Sequence, residues 1–289
     1  RLKPCPWPPA TALNKMAFMK RTPDVVASGG RLGSFVDCLA AKYGKVGSDA
    51  AALMVSAEGY ISKEEAAPAL KAASDAVAAL RSSGDKTALA DALRLNVHVL
   101  CCMGKCDEGE TLAKDELWKY RDQADKAGEA KMTLSMAEVH CAKGTVDAIE
   151  TAVQESQEAV RGFRALGDNT MVAAALLMSA AIHLEKRGDT KKKADEAKQA
   201  CDEATPIFRD IGEAKAEGYA LHLMACTRAL SGASEGALRA AKEAQSLFVK
   251  AEMKKQAAFE LHQIAVWHLK DGDVEDAVAA ALEALDIFE

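Results

Sequence analysis

An all-α stack of antiparallel helix pairs is the fold this sequence predicts, and three observations predict it. A frame of small residues closed by a larger one recurs every 39–45 residues through most of the 289-residue chain. Glycines suited to ending helices recur with a similar period. The composition is 49% hydrophobic but only 5% aromatic, so the core must be Ala, Leu, Val and Met, which suits closely packed helices.

The first element breaks the pattern. "RLKPCPWPPA" places four prolines within its first nine residues, so residues 1–30 read as an extended, Pro-rich arm with polyproline character, closed by a "VASGG" hinge. Residues 31–61 hold two short helical candidates, "RLGSFVDCLAAKYG" and "SDAAALMVSAEGY", expected to form an amino-terminal helical cap. "SKEE" reads as a capping box, Ser62 with Glu65, and opens an array expected to span 62–289 with about five helix pairs.

Within the array the closing residue of the frame is read as Leu80, Ala124, Phe163, Phe208, Phe248 and Phe288. Alanine lies eleven residues before each, at 69, 113, 152, 197, 237 and 277. Four residues before it, the chain has Ala76, Tyr120, Ala159, Ala204, Ala244 and Ala284. Seven before, it has Ala73, Leu117, Ser156, Cys201, Ala241 and Ala281. These offsets share one helical face, so small residues there let the helix approach its neighbours closely while the large residue plugs the gap. Glycines at 104, 144, 188, 232 and 272 each follow an apolar helical run, and a second break is read at Gly84, Gly128, Gly167 and Gly212. Each unit is therefore helix, turn, helix, turn. A single unit cannot bury its apolar face alone and needs the stack.

The alanines at these offsets resemble the tetratricopeptide repeat, in a long variety of about 40–44 residues. The resemblance covers about 62–289; the tryptophan, tyrosine and proline of the standard pattern are mostly missing. It implies a right-handed α-solenoid whose first helices line a concave face, with protein–protein interaction as its work.

Several function classes are excluded. No apolar run of 18 residues is present, so no helix spans a bilayer. Phosphate loops, dinucleotide-binding glycines, H-E-x-x-H and G-x-S-x-G are absent, and no catalytic residue is expected. "SGGRLG" at 28–33 lacks the strand and the Lys-Ser/Thr of a phosphate loop and reads as a hinge. The net charge of −6 conceals an acid-free leader, since residues 1–23 carry Arg1, Lys3, Lys15, Lys20 and Arg21 and no Asp or Glu. The rest of the chain is correspondingly more acidic and a poor nucleic-acid surface. Eight cysteines without a recognisable framework read as free thiols in a reducing compartment.

The candidate partner-binding residues are Trp7, Lys3, Lys15, Lys20 and Arg21 of the arm, with Trp7 as anchor, together with His222 and His262. These two histidines share a repeat position ten before the glycine, as His140 and His268 share one four before it. Trp118 and Trp267 read as core or groove lining, and Lys191–Lys193 as a solvated face. His98 and Cys102, with Cys106, His140 and Cys141, invite a zinc reading. The C-x2-C spacing is missing, so buried thiols are expected instead, with no metal or cofactor.

The expected function is a non-catalytic interaction scaffold, an accessory or structural subunit of a larger assembly. The leader points to an organelle, plastid or mitochondrion, and so to a photosynthetic or respiratory assembly, although serine is scarce for a transit peptide. Alternatives are a soluble adaptor or co-chaperone holding client peptides in its groove, and the regulatory repeat region of a larger signalling protein. The bare frame phenylalanine at 288 suggests that a partner or further chain covers the carboxyl-terminal end.

Overall fold

The computed structural model describes residues 34–186 and 188–288, and among them thirteen helices and no strand. The proposed arm, 1–30, with Trp7 and its five basic residues, lies outside the described residues. A short helix, α1 (Leu39–Tyr43), precedes six antiparallel pairs. The first three pairs are α2 (Asp49–Ser62) with α3 (Ala66–Ser83), α4 (Lys86–Cys102) with α5 (Cys106–Asp122), and α6 (Lys126–Lys143) with α7 (Val146–Leu166). The second three are α8 (Asn169–Glu185) with α9 (Thr190–Ile211), α10 (Ala214–Leu230) with α11 (Ser234–Lys250), and α12 (Lys254–Asp271) with α13 (Val274–Phe288).

First helices also pack on one another: α4 touches α6, α6 touches α8, and α8 touches α10. Second helices make no comparable contact among the described residues. The first helices therefore form the tighter, inner layer, which makes their face the concave one. The array bends far enough for its first and last described hairpins to meet. Glu64, in the α2–α3 turn, accepts a hydrogen bond from Gln256 at 3.0 Å, at the start of α12.

The alanine frame packs as its spacing predicts. Ala237, Ala241, Ala244 and Phe248 are buried on one face of α11, and Ala152, Ser156, Ala159 and Phe163 on one face of α7. Gly84, Gly144, Gly167, Gly212 and Gly272 cap their helices in the left-handed conformation, where an added Cβ would be strained.

One unit departs from the expected register. Ala124 is not a plug: it sits exposed in the α5–α6 turn with φ 53°. The buried face of α5 is Gly109, Ala113, Glu116 and Tyr120, so Tyr120 is the plug and the frame lies one helical turn earlier. Gly128 is then not a break but the third residue of α6, where a Cβ would fall within the Tyr120 ring. The same shift turns Trp118 outward: it is 68% exposed rather than core or groove lining, whereas Trp267 is buried.

Two further expectations change at the amino end. Ser62 closes α2, its hydroxyl donating to the Glu58 carbonyl, and does not cap α3, whose N-cap Glu65 makes no side-chain capping bond. The "SDAAALMVSAEGY" run forms α2, capped by Ser48, and pairs with α3 as a regular hairpin, so regular pairing begins at Asp49. Only Leu39–Tyr43 of the other candidate is helical, and Cys38 precedes it with φ 56°. At the opposite end, α13 leaves Val274, Val278, Leu282 and Leu285 exposed.

Candidate functional site

The concave face is occupied, and its occupant is the chain itself. Residues Ser34–Tyr43 thread along the inner layer as a strap. Phe35, Val36 and Leu39 are each under 5% exposed. Val36 and Cys38 join the core of the later repeats, while Phe35 and Leu39 join that of the earlier ones. The strap thus bridges both halves of the solenoid.

Charged side chains anchor it where the helices supply a complement. Arg94 of α4 donates from Nε and Nη2 to the two Asp37 carboxylate oxygens at 2.6 and 3.1 Å, a bidentate pair with both side chains at most 3% exposed. The same guanidinium donates to Glu138 of α6 at 3.3 Å. Burial pushes the Asp37 carboxyl above its ordinary value, only partly offset by Arg94, while Asp37 and Glu138 together hold Arg94 up. One turn earlier on α4, Asp91 receives hydrogen bonds from Lys42 Nζ and the Tyr43 hydroxyl, both at 2.6 Å, and pairs with buried Lys131 of α6. Burial alone would raise the Asp91 carboxyl; the two lysines reverse this and hold it low. At the strap's far side the Ala40 amide donates to Glu58 at 2.6 Å, and Lys215 of α10 lies 3.6 Å from that carboxylate.

Beside the strap, two His–Glu–Cys clusters repeat the same geometry. His98 Nδ1 meets Glu138 Oε1, and its Nε2 lies 3.6 Å from Cys102 Sγ, one turn along α4. His222 Nδ1 meets Glu260 Oε1 of α12 at 2.5 Å, with its Nε2 3.8 Å from Cys226 Sγ on α10. Burial would lower both imidazoles, but the neighbouring thiol and carboxylate prevail and hold both well above 6.5. Phe35 lies 5.1 Å from the His98 ring, and Tyr219 and Phe259 each 5.8 Å from the His222 ring.

The other sequence candidates are dispersed. His222 is buried in its cluster, and half-buried His262 lies tilted beside Phe259, ring centroids 6.3 Å apart, with its pKa lowered by burial. His140 pairs with Glu155 at 2.7 Å and His268 with Asp273 at 3.5 Å. His183 faces Glu196 at 3.0 Å. Among the described residues no group of three or more His, Cys, Asp or Glu is placed to hold a metal ion. The inner charges Asp91, Arg94, Lys131 and Glu138 were not singled out from the sequence. Their signal was available: each sits in a first-helix run whose neighbours are apolar, and Asp91–Lys131 and Arg94–Glu138 lie about one repeat apart.

No family model matches the chain, and no curated protein matches it. Solved structures do. BtubC (BKLC) from P. vanneervenii superimposes with a TM-score of 0.57 at 15% identity, covering 83% of this chain and 91% of that one. A signal-transduction ATPase with a tetratricopeptide repeat sensor, from Pyrococcus horikoshii, gives a TM-score of 0.59 at 13% identity, covering 96% of this chain and 41% of that one. The apo form of RapI gives 0.55 at 11% identity, with 96% of each chain covered. Identities this low carry the fold alone. The chain is a tetratricopeptide-repeat-like solenoid of stacked helical hairpins.

Proposed function

We propose that this chain is a non-catalytic protein-interaction scaffold, an accessory subunit that meets its partners through its outer surfaces and its ends. One observation carries this reading: the concave groove is filled by the chain's own strap, locked by the buried Arg94–Asp37 pair. A client peptide entering there would have to break a bidentate ion pair and expose Phe35. The outer surfaces offer what a partner needs: Trp118 stands exposed on α5, and α13 presents Val278, Leu282 and Leu285. That apolar face fits cover by a partner or by further chain. The arm, with Trp7, Lys3, Lys15, Lys20 and Arg21, is a second candidate contact, and its acid-free composition fits an organellar assembly.

The test is gentle affinity purification of the full chain, a form lacking residues 1–30, and a Leu282→Asp/Leu285→Asp form. A fixed set of co-purifying proteins, lost with one of the altered forms, is expected. A chain that retains no partner, yet binds a peptide of the strap sequence once Asp37→Ala has loosened the strap, overturns the reading in favour of a peptide adaptor. A second reading is favoured by the Pyrococcus horikoshii structure, of which the matched part is only 41%: this chain would be the repeat region of a larger signalling protein. A full-length transcript extending far beyond codon 289 supports it.

A further inference from the structure

The two His–Glu–Cys clusters share residue types, helix spacing and distances, but not their surroundings. Cys226 is 2% exposed and lies in the largest core cluster. Cys102 is only half-buried and lines a cavity of about 50 Å³ with Leu177, Met178 and Tyr219, and with Arg94 and Glu138 on its polar side. Cys101 and Cys141 also line it but are buried, whereas half-buried Cys102 has the His98 imidazole against its sulfur. That space has room for a few water-sized molecules.

From this geometry we propose that Cys102 is a peroxide-reactive thiol, a site of reversible oxidation that the sealed Cys226 copy is not. Glu138 fixes the His98 ring through Nδ1, which directs Nε2 at the sulfur 3.6 Å away. His98 thus takes the thiol proton and the sulfur reacts as the thiolate, the nucleophilic form. Hydrogen peroxide is the reactant by class, and the space accommodates it. The sulfur attacks one peroxide oxygen, the O–O bond breaks, and the departing hydroxide takes the proton from His98. Cys102 becomes a sulfenic acid, one water is released, sulfur is oxidised by two electrons and the peroxide is reduced. His98 is the group that moves the proton, and Glu138, acting through it, is a positioning residue. The proposal is independent of which partner the outer surfaces meet.

The experiment uses the full-length chain without substitution. It is exposed briefly to substoichiometric hydrogen peroxide with dimedone, which traps sulfenic acids, and each cysteine is then mapped by mass spectrometry. Cys102 is expected to be labelled first, about tenfold or more faster than Cys226 and faster than glutathione under the same conditions. Labelling of any other cysteine ahead of Cys102, or a Cys102 rate no greater than that of glutathione, overturns the proposal. Glu138→Gln then separates positioning from access. It is expected to slow peroxide labelling of Cys102 severalfold while leaving the helical circular dichroism and the peroxide labelling of Cys106, away from the cluster, unchanged. Equal peroxide rates for Glu138→Gln and the parent chain overturn the role given to the cluster.

Discussion

The amino-terminal and carboxyl-terminal halves of this solenoid are built from the same hairpin but held together differently. In α9 and α11 the frame is regular: alanines and a cysteine at the contact positions, phenylalanine as plug, and few charges on the inner face beside them. In α5 the frame slips by one turn and tyrosine replaces phenylalanine, and the inner face of α4 and α6 carries Asp91, Arg94, Lys131 and Glu138. The strap explains the division. It lays Asp37, Lys42 and Tyr43 against the charged half, and Val36 and Cys38 against the apolar one. A repeat can thus keep its backbone geometry while its inner face is respecified by a non-repeating segment.

The comparison breaks most readily at Arg94. Arg94→Met leaves Asp37 and Glu138 buried without their shared cation and is expected to cost about 3–5 kcal/mol in urea unfolding. Arg94→Met combined with Asp37→Leu should recover part of that loss, because both buried charges of the pair are then gone.

The histidines come next. His222→Asn removes the cation that meets Glu260, a residue with 0% exposure and one unpaired carboxylate oxygen, and should cost about 3 kcal/mol. His98→Asn should cost less, about 1–2 kcal/mol, because Arg94 still pairs with Glu138. Both imidazoles are held above their unfolded value of 6.5. Their stabilisation is therefore complete below pH 6.5 and lost as pH rises through the raised folded values. Glu138, held below its ordinary value by His98 and Arg94 against burial, adds stability above its unfolded pKa that is lost on acidification. Thermal melts from pH 6 to 9 should fall for the parent chain and flatten in the His222→Asn/His98→Asn pair.

A smaller effect tests the plugs. Gly128→Ala drives a Cβ into the Tyr120 ring and should cost about 1–3 kcal/mol. Gly218→Ala, whose Cβ would approach Phe248 at 3.1 Å, should cost less than about 1.5 kcal/mol, since that ring needs to move by only tenths of an ångström. The smallest effect has the opposite sign. Ala124→Gly relieves a left-handed alanine in the slipped turn and should stabilise by up to about 1 kcal/mol. If Ala124 were a buried plug instead, the same change would destabilise.

Periodicity by itself determined the hairpins, the glycine turns and the alanine contact face, because each depends on residues within one helix or one turn of each other. It missed the slip in α5 because Ala113 fits two registers. Only the ring of Tyr120 packing against Gly128 chooses between them, although the five-residue step from Gly104 to Gly109 matches that from Gly232 to Ala237 and carried the hint. The Asp37–Arg94 pair of the strap and the His–Glu pairs of the two clusters join residues 38–57 positions apart in different elements. Spacing within one helix does not encode such pairings, and the His–Glu pairs show only as a separation of about one repeat. They exist because the inner helices converge, exclude water and leave each buried charge to find its partner across the groove.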